Sequence, residues 1–120
     1  MNAVSFQAKT ERLFLLFAMR EAVGDCQAIV DAAIAQVQDE CKEDADHYDV
    51  LLCWYAAALA NLRWRQMIAA QGAVSPTYAG SVPKDRDDSG ALAFAQRLVC
   101  DYRGMAARLL RDDVFVFRGI

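Results

Sequence analysis

Glu40 and Glu43 stand three residues apart, and so do Asp46 and Asp49. On a helix that spacing puts two carboxylates on one face, where they can hold magnesium for phosphate chemistry. An enzyme of that kind draws its carboxylates from two converging helices. Here all four lie in one short connection, and Asp46 is placed to cap the helix that follows. The set therefore reads as a solvated acidic turn, with no metal and no cofactor expected.

The other reactive residue types are sparse. His47 has no serine or cysteine beside it and reads as a surface histidine in a first helical turn. The four cysteines, Cys26, Cys41, Cys53 and Cys100, form no CxxC pair, and one histidine cannot complete a usual zinc set with them. They read as reduced thiols filling helix interiors. No catalytic residues are assigned.

Arg63, Trp64 and Arg65 first suggest a basic-aromatic nucleic-acid patch. Helical neighbours point about 100° apart, so the three cannot form one stacking surface. Trp64 is expected to pack inward while the arginines meet acids on another helix or subunit. Arg97, Arg103, Arg108 and Arg111 read as a solvated face. Trp54 and Trp64 lie within roughly 80° of one another on a helix, placed for a core or for the anchor of a subunit interface.

Behind these residues stands a chain of 120 residues, 56% hydrophobic but only 10% aromatic. Alanine fills many apolar positions, as in closely packed helices, so residues 1–120 are expected to form one all-α domain, a four-helix bundle. A net charge of -3 argues against a dedicated or sequence-specific nucleic-acid binder. The apolar run from Leu13 to Met19 is closed by Arg12 and Arg20 and is too short to span a bilayer. It also lacks the order of a signal peptide, so a soluble, unexported protein without membrane contact is expected.

Periodicity places the first helix at residues 5–23, stopped by Gly24. A second, over residues 26–41, carries one apolar stripe of Cys26, Ile29, Val30, Ala33, Ile34, Val37 and Cys41. The third, over residues 47–70, is apolar on two faces and is expected to sit between other elements, with one face open to a partner subunit. Residues 75–89 are rich in turn formers, with a short extended arm at 78–84. A fourth helix follows over 89–111. Leu51, Tyr55, Leu59, Leu62, Leu92, Val99, Tyr102 and Leu109 are expected to share the core.

The chain then runs into Val114-Phe115-Val116-Phe117-Arg118-Gly119-Ile120, an apolar alternating segment that must be covered, by its own helices or preferably by a neighbouring copy. If extended, it places Val114 and Val116 on one side and Phe115 and Phe117 on the other.

From Tyr48 to Ile120 the order of features resembles the small helical head-tail connector, or head-completion adaptor, proteins of tailed phages and prophages. The residues that carry the resemblance are Tyr55-Ala56-Ala57-Ala58-Leu59-Ala60-Asn61-Leu62-Arg63-Trp64, Tyr78-Ala79-Gly80-Ser81-Val82-Pro83-Lys84-Asp85, and the ending from Leu109 to Arg118. Pro83, within the possible strand, departs from the pattern. The resemblance implies a non-enzymatic homo-oligomeric ring beneath the portal, with portal and tail-completion proteins as partners. It also implies assembly in the bacterial cytoplasm and a place in the virion. Residues 78–84 would then be the arm that reaches a neighbour and residues 114–120 the terminal segment. Trp54, Trp64, Tyr78, Val82, Phe115, Phe117 and Ile120 are the expected interface residues. The alternatives are an all-α magnesium-dependent nucleotide pyrophosphohydrolase using Glu40, Glu43, Asp46 and Asp49, or a small dimeric helical regulator.

Overall fold

The computed structural model describes residues 1–74 and 88–111 and is all-α. Four helices follow in order: α1 Ala3–Ala18, α2 Gln27–Asp39, α3 Val50–Val74 and α4 Asp88–Met105. Short 3-10 turns at Gly24–Cys26 and Ala107–Leu109 precede α2 and follow α4. Among the described residues there is no strand, only an isolated antiparallel bridge between Cys41 and Leu110. The arm with Tyr78 and Val82, and the terminal segment with Phe115, Phe117 and Ile120, lie outside the described residues.

Helix α1 begins where Asn2 caps it, its Oδ1 accepting the Ser5 N–H at 2.8 Å. It ends six residues before the glycine expected to stop it. Met19 takes the left-handed conformation, φ 58°, and the Arg20 N–H donates back to the Leu15 carbonyl at 3.0 Å. Arg20 then bonds the Ala22 carbonyl and Asp25, which closes the turn. Gly24, at φ 52°, opens the 3-10 turn instead.

Helix α3 also starts later than expected. Asp46 Oδ1 accepts the Tyr48 N–H inside the preceding turn, whereas Asp49 Oδ1 accepts the Leu51 N–H at 2.9 Å and caps the helix. His47 thus lies before the helix, its Nε2–H donating to the Lys42 carbonyl at 3.0 Å. The fourth helix stops short of residue 111, because the chain tightens into the 3-10 turn after Met105.

The two apolar faces of α3 are both used within the chain, for α3 packs against α1, α2 and α4. Leu52, Cys53 and all of Tyr55 to Asn61 are buried. Ala56, Ala57, Ala58 and Ala60 are fully enclosed, their small side chains letting neighbouring helices approach from several directions. Phe6, Leu13, Phe14 and Ala18 come from α1 and Val30, Ala33, Ile34 and Val37 from α2. Of the expected core residues, Tyr55, Leu59, Val99 and Leu109 are buried, whereas Leu51, Leu62 and Tyr102 pack partly buried against the core. Leu92 is half-buried.

Candidate functional site

The densest polar arrangement lies where the last turn of α2, the second turn of α3 and the last turn of α4 meet. Tyr55 O–H donates to Glu40 Oε1 at 2.6 Å, and Gln36 Nε2 donates to Glu40 Oε2 at 3.0 Å. Arg103 Nε donates to the Tyr55 oxygen at 3.2 Å, with its guanidinium carbon 5.6 Å from the centre of the same ring. Arg63 Nη2 donates to Gln36 Oε1. A relay thus runs from Arg63 through Gln36 to Glu40, and from Glu40 through Tyr55 to Arg103. The backbone seals this junction: Lys42 N–H donates to the Leu109 carbonyl and Arg111 N–H to the Glu40 carbonyl, each at 2.9 Å.

Glu40 is only 6% exposed, so the acidic turn is not solvated throughout as the sequence suggests. Glu43 and Asp46 remain outside, and Asp49 caps α3 while sitting 3.8 Å from Arg108. The four carboxylates are therefore spread over three separate tasks. Among the described residues no three metal-ligating side chains converge.

Burial governs the chemistry left available. It is the main force that pushes the Tyr55 phenol up to about 12, with the Glu40 carboxylate adding to the shift and Arg103 opposing it. Burial, then Glu40, raises the Cys41 thiol to about 11, and burial likewise raises Cys26 and Cys53. All four cysteines are free thiols, but Cys100 is exposed rather than filling a helix interior. A buried thiol held protonated is a poor nucleophile, and a neutral phenol serves as a donor that fixes a carboxylate.

The late ionisation of Tyr55 has a measurable sign. The unfolded chain releases this proton near pH 10 and the folded chain near 12, so folding stability held below pH 10 falls as the pH rises through that interval. We expect tyrosinate absorbance to show a component centred near pH 12 that is missing from Tyr55→Phe; a variant that instead loses its amplitude near pH 10 would show that Tyr55 ionises normally.

Of the aromatic residues assigned to an interface, the two tryptophans are described and both have partners inside the chain. Trp54 stacks on Tyr102 at 5.3 Å between ring centres and touches Phe17 at 5.9 Å. Trp64 meets the edge of Phe14 at 6.3 Å, while the guanidinium carbons of Arg20 and Arg65 lie 5.4 and 5.3 Å from its ring centre. Both rings remain half-buried. The flanking arginines meet oxygens of amides rather than acids: Arg63 that of Gln36, Arg65 those of Asn61 and the Phe17 carbonyl. Arg103 likewise turns inward, leaving Arg97, Arg108 and Arg111 exposed.

Sequence reasoning missed the relay because its members are far apart in the chain. An Arg103 on a helix stripe next to an inward Tyr102 gives no sign of which phenol it will reach. The one signal on offer is Glu40 itself, an acid between Val37 and Cys41 at the end of the apolar stripe of α2. Among the described residues no helix is long and apolar enough to cross a membrane. Compared with known protein families, with curated proteins and with solved structures, the chain matches none.

Proposed function

We propose that this chain is a non-enzymatic structural protein of a tailed phage or prophage, a head-tail connector whose copies pack side by side in a ring between portal and tail-completion proteins. One observation carries the assembly part of this reading: large apolar side chains stand exposed on two separate helices. Val4 (78%) and Leu16 (65%) lie on α1 with Met19 (86%) at its C-terminal cap, and Phe94 (63%) and Met105 (58%) lie on α4. A ring needs a surface on one copy to complement a different surface on the next, and two distinct apolar surfaces meet that need. The resemblance of residues 48–120 to connector proteins supplies the phage setting.

The test combines genome context with solution mass. Genes for portal, capsid or tail proteins are expected beside this one. Mixed with the portal protein from the same cluster, the chain should give a complex of several copies by light scattering, and Leu16→Lys or Phe94→Lys should weaken it. A chain that remains at 13.3 kDa in that mixture would falsify the connector reading.

A further inference from the structure

The outward side of α4 carries two large apolar side chains with two charges between them. Phe94 and Met105 are exposed there, and so are Arg97 and Asp101. Steps of three, four and four residues keep these side chains within about 80° of one another around the helix, so they form one stripe. Among the described residues neither Arg97 nor Asp101 takes part in an ion pair. A cation four residues before an acid is the weaker order for pairing along one helix, which leaves both charges available to another surface.

The order of the stripe indicates which surface. Arg97 and Asp101 are centred on Val99, and Phe94 and Met105 on the step from Val99 to Cys100, so the two midpoints agree to about 0.8 Å along the axis. Turned end for end about that point, the stripe meets its own complement. Two copies laid antiparallel set the Phe94 ring of each against the Met105 thioether of the other, and Arg97 of each beside Asp101 of the other. Parallel copies would instead set like charges together. On the flank, exposed Ala93 and Gly104 share that midpoint to within one residue, and a Cβ added at Gly104 would meet no atom within 4 Å. Small side chains there leave room for a second helix to come close.

We infer that two copies of this chain pair through α4, antiparallel about a two-fold axis beside Val99 and Cys100, with Phe94 on Met105 and Arg97 beside Asp101 in both halves of the contact. A face that is its own complement under a two-fold rotation is what an isologous contact requires, whereas an unrelated partner would need no such symmetry. One helix face is smaller than a standard interface, so the dimer forms at micromolar rather than nanomolar concentration. The same α4 surface is one of the two offered above to neighbours in a ring, so pairing of free chains competes with ring assembly. The pairing itself does not rest on the connector reading, because it belongs to the pure protein.

Sedimentation equilibrium on the pure chain and on charge variants tests the pairing. Arg97→Asp and Asp101→Arg each set like charges together across the axis, so each alone should associate roughly tenfold more weakly than the unaltered chain. Mixed one to one, they should associate at least as tightly as the unaltered chain, because one copy then brings two acids and the other two cations to the same four places. Both substitutions are at exposed positions, and circular dichroism checks that the helices remain. If either variant loses helicity, Met105→Glu decides instead and should weaken the dimer as well. Cys100, the exposed one of the four thiols, lies near the axis, so a bis-maleimide with a flexible spacer should join Cys100 to Cys100 in the unaltered protein. A pure chain that stays at 13.3 kDa, or a mixture no tighter than its components, overturns the inference. A dimer indifferent to all three substitutions would lie on another surface and overturns it too. The dimer is read without portal protein and the connector reading with it, so the failure of one is distinguishable from the failure of the other.

Discussion

Phe14→Ala is expected to lower the free energy of unfolding by about 3–5 kcal/mol, since it removes a large ring from a site too tightly enclosed to collapse fully. Phe14 has no exposed surface and faces Trp64 edge-on across the α1–α3 contact. Trp64 cannot move far into the space, because Arg20 and Arg65 flank its ring and each is held elsewhere, Arg20 by Asp25 and Arg65 by Asn61 and the Phe17 carbonyl. The loss would consume much of the 5–15 kcal/mol that stabilises an ordinary domain. The control is Leu16→Ala on the same helix, 65% exposed and expected to shift stability by about 0.5 kcal/mol or less. Urea titrations of the two variants should separate clearly. Equal midpoints would mean that α1 does not pack on α3 through Phe14.

That contrast within one helix shows what the sequence can and cannot convey. The run around Leu13 to Met19 is apolar nearly all round, so periodicity indicates a helix without choosing between Phe14 and Leu16 as the inward residue. The choice is made by α3, against which Phe14 is enclosed beside Trp64 while Leu16 on the same helix faces outward. The all-α class and the existence of four helices were legible because Ala-rich stripes and turn-formers mark them in the chain. The ends were less so. Asp46 and Asp49 are both acceptable caps by type, and what selects Asp49 is the tight turn from Lys42 to Tyr48, itself held by the His47 bond to Lys42. Likewise Gly24 is the usual residue for a helix stop, yet Met19 takes the left-handed position, at a cost of roughly 1–2 kcal/mol offset by the bonds of Arg20 to Ala22 and Asp25.

The relay at the α2–α3–α4 junction was the least legible feature, because an acid in an acidic stretch is ordinarily solvated and only the arrival of Tyr55 and Arg103 from distant positions encloses Glu40. Its energetic weight leads to the second large effect. Glu40→Ala should cost about 3 kcal/mol, leaving the Tyr55 hydroxyl and a Gln36 amide without this acceptor in a buried site and removing the carboxylate to which Tyr55 links Arg103. Glu40→Gln keeps an acceptor in place and should cost less, about 1–2 kcal/mol. Tyr55→Phe removes the phenol from the other end. If the relay acts as one unit, the double variant Glu40→Ala with Tyr55→Phe should be less destabilised than the sum of the two single variants, by about 0.5–3 kcal/mol. Strict additivity in that cycle would show instead that Glu40 and Tyr55 act independently. The junction would then be held by the backbone bonds of Lys42 and Arg111 together with apolar packing, and Arg103 would contribute through its contact with the Tyr55 ring rather than through a chain of hydrogen bonds.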